Sequence, residues 1–185
     1  MLLSSCKTDS NHVVKTTEKL EIDKAILELR PNEGLMYYNN EPFTGFSVIS
    51  YSNGLTAEKI EYLNGLRHGL YEKWFRDGTL SFQSRYENGL QHGKTISWWN
   101  NAHKRSQSNF ENGVAQGAQF QWYTNGSIFK EIHLVDGREQ GMQKSYRQNG
   151  KLYNNYEAKN GRIFGLKKAT LCFSLENQEV VTDTL

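Results

Sequence analysis

This 185-residue chain has little of several things, and each shortage excludes a class of protein. Its two cysteines, Cys6 and Cys172, cannot supply the dense disulfide framework of small secreted domains. Charge of one sign is not in excess: 22 basic against 20 acidic residues give a net charge of +2. That is too little for the basic stripe of a nucleic-acid binder, and no helix-turn-helix, zinc-finger or RNA-binding motif occurs. No apolar run approaches the roughly 20 residues that a membrane-spanning helix needs. The only prolines are Pro31 and Pro42, and neither interrupts the strands read below. The length suits one elongated domain.

Glycine is what the chain has, and its placement is periodic. Fifteen of the 16 glycines fall into three columns of a 24-residue repeat. One column is Gly65, Gly89, Gly113, Gly137 and Gly161. A second is Gly45, Gly69, Gly93, Gly117, Gly141 and Gly165, and a third is Gly54, Gly78, Gly126 and Gly150. A fixed period of this kind is the signature of a repeat architecture. Asn or Asp precedes every glycine of the first and third columns, as in Asp77-Gly78 and Asn88-Gly89. Such pairs tolerate positive φ at both central positions of a type I′ hairpin turn, so both columns read as turns of that kind.

Between turns the chain alternates. Leu70–Phe75 reads as a first strand, Arg76-Asp77-Gly78-Thr79 as a tight turn and Leu80–Tyr86 as the returning strand. Asn88–Gly93 then reads as a wider loop to the next unit. Leu80, Phe82 and Tyr86 fall on one face, with Ser81, Gln83 and Arg85 on the other. The expected fold is all-β: a single-layer, twisted antiparallel sheet of stacked 24-residue hairpins. The third unit is degenerate, because Ala102 stands where the others have glycine. Residues 45–165 form five repeats, 20–44 and 166–185 read as caps protecting the end strands, and 1–19 as a polar tether. Leu20, Ile22, Ile26 and Leu29 fit either a short helix or a strand. Cys172, between Leu171 and Phe173, reads as a small buried residue of a closing strand.

The element from Tyr62 through Asn64-Gly65 to His68-Gly69, followed by Trp74-Phe75-Arg76-Asp77-Gly78, resembles the MORN-repeat variant of bacterial YwqK-like proteins. It returns at Tyr86–Gly93 with Trp98-Trp99, and at Phe110–Gly117 with Trp122–Gly126. Gly34–Gly45 looks like the usual lead-in to such an array, with the Asn-Gly pair missing at Asn40-Glu41. The resemblance covers about residues 34–166 and implies stacked hairpins; the family label "antitoxin" would imply a toxin partner. Residues 3–6, Leu-Ser-Ser-Cys, resemble a bacterial lipobox. That resemblance implies lipidation of Cys6 and attachment to the cell envelope, on the periplasmic or surface side, with membrane contact through the lipid alone. The alternative is a lone cysteine in the tail of a cytoplasmic protein.

Catalytic chemistry has no foothold in the sequence. No Gly-x-Ser-x-Gly element occurs, the glycine loops join strand to strand rather than strand to helix, and no carboxylate pair stands out. No cofactor is implied and an enzyme is not expected. His68 and His92 share a repeat position, but equivalent residues two strands apart lie roughly 9–10 Å from each other. A shared zinc needs both nitrogens at about 2.0–2.1 Å, so no metal site is expected. The aromatic columns are the candidates. Trp74, Trp98, Trp122 and Tyr146 form one, and Tyr51, Phe75, Trp99 and Tyr123 its neighbour, so aromatic rows should line both faces. Arg147 breaks the second column. Trp74, Trp98, Trp99, Trp122, Tyr123 and Tyr146 are therefore the candidate contact residues. The leading expectation is a binding or scaffold module for a protein partner. Glycan binding through the aromatic rows is the alternative, and near-neutral charge argues against lipid headgroups.

Overall fold

The computed structural model describes residues 19–166, 173–176 and 179–182. The chain is all-β, with one 17-stranded sheet and a separate three-stranded sheet. First come β1 (Glu21–Asp23), a 3-10 turn at Lys24–Ile26, β2 (Glu28–Arg30), β3 (Leu35–Tyr38) and β4 (Glu41–Pro42). Leu20–Leu29 thus supplies two short strands and a single turn of 3-10 helix between them. The hairpins follow: β5 (Gly45–Ser50) with β6 (Thr56–Leu63), then β7 (Leu66–Trp74) with β8 (Leu80–Glu87). In the next unit β9 (Leu90–Gln91) and β10 (Gly93–Trp98) both pair with β8, and β10 pairs on its other side with β11 (Lys104–Glu111). Next are β12 (Val114–Ala115) and β13 (Gly117–Trp122) with β14 (Ile128–Val135). The last unit is β15 (Arg138–Glu139) and β16 (Gly141–Tyr146) with β17 (Leu152–Lys159). β18 (Arg162–Leu166), β19 (Phe173–Glu176) and β20 (Glu179–Thr182) continue the meander. Pairing in the long sheet is antiparallel except at β1, which lies parallel to β5 with Ile22 opposite Ser47. Cys6, Cys172 and most of the expected tether and C-terminal cap lie outside the described residues.

Two kinds of turn alternate, and the structure reverses their expected assignment. Asn88-Gly89 is the tight one: both residues have positive φ (48° and 84°), and Glu87 pairs directly with Leu90. This is the type I′ turn, repeated at Asn64, Asn112, Asp136 and Asn160. At Phe75–Thr79 only Gly78 has positive φ. Gly78 N donates to Phe75 O at 3.0 Å and Phe75 N to Thr79 O at 2.8 Å. That is a three-residue loop, a type I turn closed by a left-handed residue. Its Asp77 Oδ1 accepts from Thr79 N, and the Asn residues of the other four such loops accept in the same way. The lead-in turn is not missing either. It sits one residue earlier than expected, on Asn39 and Asn40 (φ 50° and 63°), with Tyr38 paired to Glu41.

Each hairpin also carries one extra residue just after its three-residue loop. Lys73 pairs with Phe82 but Trp74 with Leu80, which leaves Ser81 bulged. The same shift leaves Ala57, Arg105, Phe129 and Tyr153 bulged in the other units. Leu80 is consequently opposite Trp74 rather than on the face of Phe82 and Tyr86. Strand alternation breaks there because a bulge offsets the two-residue period.

Backbone hydrogen bonds fasten one hairpin to the next. The amides of four type I′ glycines donate to the carbonyl of the preceding unit: Gly65 to Phe43, Gly89 to Arg67, Gly113 to Gln91 and Gly137 to Ala115, at 2.8–3.0 Å. A cluster of buried apolar side chains forms where the N-terminal elements meet the first hairpins. Phe43, Ile60 and Tyr62 are its centre, packed by Ile22, Leu27, Met36, Tyr38 and Tyr71. Glu58 lies beside it, 8% exposed. Lys24 Nζ donates to it at 2.5 Å, Tyr71 Oη at 2.9 Å, and Lys73 Nζ stands 3.4 Å away.

Two outcomes are expected. Ala102 holds a φ of 62°, a left-handed conformation that costs alanine but not glycine. Ala102→Gly should therefore stabilise the protein by about 0.5–1 kcal/mol, read as a raised melting temperature. Burial pushes the Glu58 carboxyl up, but hydrogen bonds from Lys24 and Tyr71 and the charges of Lys24 and Lys73 outweigh it and hold it low. Its stabilising effect is complete above the ordinary carboxylate range and is lost as pH falls through the depressed folded-state value. The melting-temperature gap between wild type and Glu58→Gln should therefore be full at neutral pH and close on strong acidification.

Candidate binding faces

Register settles which side chain faces which way, because paired residues share a face. One face carries the cross-strand row Ser47, Ile60, Tyr71, Ser84, Thr95, Ser108 and Gln119. It is the more buried face. Ser84 is fully buried, Ser145 is 2% exposed and Gln143 1%. Ser84 and Gln143 are bonded locally, whereas Ser47 Oγ in the same row is buried without a hydrogen-bond partner among the described residues. Ser84 Oγ lies 2.6 Å from Thr95 Oγ1, and Ser97 Oγ 2.7 Å from Ser106 Oγ. Gln143 accepts from His133 N and donates to His133 O, both at 3.0 Å. Small or locally bonded polar groups therefore form the floor of this face, and larger rings flank it. Tyr62, Tyr86 and Phe110 lie along one margin, each opposite a glycine of the first strand of its own hairpin: Gly45, Gly69 and Gly93.

Along the other margin runs the column Tyr51, Phe75, Trp99 and Tyr123, all half-buried. Its polar tips have structural employment. Tyr51 Oη donates to Trp74 O at 2.7 Å, Trp99 Nε1 to Trp122 O at 3.2 Å and Tyr123 Oη to Tyr146 O at 2.9 Å. Each ring thus reaches from one loop to a backbone carbonyl of the next unit. Phe75, without a polar tip, leaves the second joint without this tie. The bulged residues stand beside the column. The Arg105 guanidinium carbon lies 4.8 Å from the Trp99 ring centre, and Phe129 packs on Tyr123 at 5.0 Å.

The opposite face holds the other aromatic row. Trp74 shares a groove with Phe46, Lys59, Leu70 and Glu72. Phe120 stacks on Trp122 with ring centres 5.8 Å apart, and Lys104 Nζ lies 5.7 Å from the Trp122 ring. Trp74, Trp98, Trp122 and Tyr146 are half-buried, and Leu80, Lys104, Ile128 and Leu152 pair with them across the bulges. Leu70 and Met142, on the same face, are 39% and 37% exposed. No second layer of described residues covers this row, since the only other sheet is the small one of β2–β4.

The expected contact residues are therefore not one surface. Trp74, Trp98, Trp122 and Tyr146 belong to one face, and Trp99 and Tyr123 to the other. Register places them all. The bulged column of Ala57, Ser81, Arg105, Phe129 and Tyr153 escaped the sequence reading, although its period was visible. Its residue types share nothing, so no pattern marked it.

Fold and faces together define a class, an all-β protein of repeated β-hairpins in one open sheet. Beyond that class no family model matches the chain, and no curated protein is similar to it.

The inter-unit tie is testable by removal and by repair. Tyr123→Phe leaves the Tyr146 carbonyl without its donor and should cost about 0.5–1.5 kcal/mol in denaturant unfolding. Phe75→Tyr adds the matching bond at the joint that lacks it, and should raise the unfolding midpoint.

Proposed function

We propose that this chain is a non-catalytic binding module that contacts a protein partner through the face bearing Trp74, Trp98, Trp122 and Tyr146. The observation that carries the reading is this row itself: four large rings, one per hairpin, half-buried and with no layer of described residues over them. Aromatic side chains concentrate binding energy at protein interfaces, and continuous apolar surface marks contact sites. Neighbouring Leu80, Ile96, Phe120 and Ile128 widen the strip. Lys59, Glu61 and Glu72 beside Trp74 give it a mixed-charge rim. Among the described residues no cluster of three or more His, Cys, Asp or Glu could hold a metal ion.

The residues that resemble MORN-like YwqK repeats support the same reading, because repeat arrays present extended surfaces. A toxin partner is one form such a partner could take. Attachment to the envelope through a lipidated Cys6 rests on the Leu3–Cys6 motif alone. A specific observation also favours glycan as a ligand, but on the opposite face.

Crosslinking capture from envelope and cytosol, with the full chain as bait, tests the proposal. Leu70→Glu and Met142→Glu place charge on exposed positions of this face and leave its rings intact. A protein recovered by the wild type and lost with the double variant is the expected result. Equal recovery by both, or none by either, refutes it. A Trp98→Ala/Trp99→Ala variant would not serve, since it strips a ring from each face at once.

A further inference from the structure

The more buried face carries a second feature that protein docking does not use. Two depressions of about 300 and 390 Å³ lie side by side on it and share Ser97 and Arg105. The first is lined by Tyr71, Lys73, Phe75, Ser81 and Phe82 besides the shared pair, with Trp98 at its edge. The second adds Trp99, Ser106, Gln121 and Phe129, with Trp122 at its edge. Together they form a groove that crosses the strands from the second hairpin to the fourth.

Its chemistry is distinctive. The floor is hydroxyl and amide: Ser97, Ser106 and Gln121 share a cross-strand row. Its flank is aromatic, with Phe75 and Trp99 at equivalent positions of successive repeats. Two strands separate them, or roughly 9–10 Å, the length of a disaccharide. No carboxylate lines either depression, whereas Lys73 and Arg105 both do. Lys73 is compensated by Glu58, but Arg105 has no carboxylate partner among the described residues. Its guanidinium lies over the Trp99 ring, and the residue stands exposed. The bulge is what puts it there. Without the extra residue an arginine in this strand would pair in the ladder, and the floor would continue unbroken.

We propose that this groove binds an acidic glycan, an oligosaccharide bearing uronic-acid carboxylates. Phe75 and Trp99 stack on apolar sugar faces, Ser97, Ser106 and Gln121 meet the hydroxyls, and Arg105 takes a carboxylate. Arginine suits that role, because its planar fork can grip a carboxylate through two hydrogen bonds. An extended acidic peptide fits less well. Its backbone would need free amides and carbonyls, and in the hairpins beneath the groove those groups are committed to the ladder.

The proposal does not rest on the protein-contact reading, and although Trp98 and Trp122 of that row edge the groove, its test turns on Arg105, which is not part of the row. The full chain is titrated by calorimetry with oligogalacturonate, with a neutral cello-oligosaccharide and a polyglutamate peptide as comparisons. Saturable, salt-sensitive binding of oligogalacturonate is expected, weaker for the neutral sugar. Arg105→Gln should weaken it about tenfold or more. Trp99→Phe, which keeps a ring at the site, should weaken it less, and Lys59→Gln on the opposite face should leave it unchanged. Arg105 is exposed and bulged, so Arg105→Gln should melt like the wild type. No binding, binding unchanged by Arg105→Gln, or equal binding of polyglutamate would each overturn the proposal.

Discussion

In a sheet one layer thick, the backbone has to be satisfied by the neighbouring hairpin, and here the units are joined by it at both ends. At one end, type I′ glycine amides donate to the carbonyls of the preceding unit, as Gly89 does to Arg67. At the other, the tips of Tyr51, Trp99 and Tyr123 reach the carbonyls of the next aromatic residue in line. Strand pairing fills the space between. Stability of such an array is a sum over neighbouring units rather than the property of one central core. That is why, among the described residues, a compact apolar cluster appears only where β2–β4 and β1 meet the first hairpins. Elsewhere the drier face is floored by Ser, Thr and Gln, which bond within a unit, as Ser97 with Ser106, or across to the neighbouring one, as Ser84 with Thr95 and Gln143 with His133.

The single bulged residue per hairpin organises the faces. Alternation alone sets Trp74 and Phe75, or Trp98 and Trp99, on opposite sides; the bulge on the returning strand brings Leu80 or Lys104 opposite the first ring of each pair. It also frees a position from the ladder. The repeat demands nothing of that position beyond its presence, so it can hold alanine, serine, arginine, phenylalanine and tyrosine in turn. The fold dictates the glycines and the ring columns, and leaves the bulge open to whatever a ligand requires.

Much of this was legible in the chain beforehand. Period, hairpins, the all-β class and two-sided aromatic rows follow from glycine spacing and alternation. The turn types were not, because Asn-Gly serves two different loops. In one, both residues are left-handed. In the other, the Asn or Asp side chain caps the loop and only glycine is left-handed. A following Thr or Ser adds a hydroxyl bond in Asp77-Gly78-Thr79 and Asn125-Gly126-Ser127, but Leu55, His103 and Lys151 follow the other three loops, so no single neighbour marks the kind. Leu80 was misplaced for a related reason, since alternation carries no record of an inserted residue. The separation of Trp98 from Trp99 was readable, but the grouping of Arg105 with Trp99 and Ser106 required the register.

The repeat length has a bearing on how such a gene can grow. Twenty-four residues make one strand out and one strand back, bulge included. Duplicating or deleting a whole unit therefore returns every later side chain to the face it occupied before. A single-residue insertion within a strand would turn all of them over. The array can thus be lengthened or shortened in whole hairpins by unequal recombination, with both surfaces kept in phase and only their extent changed.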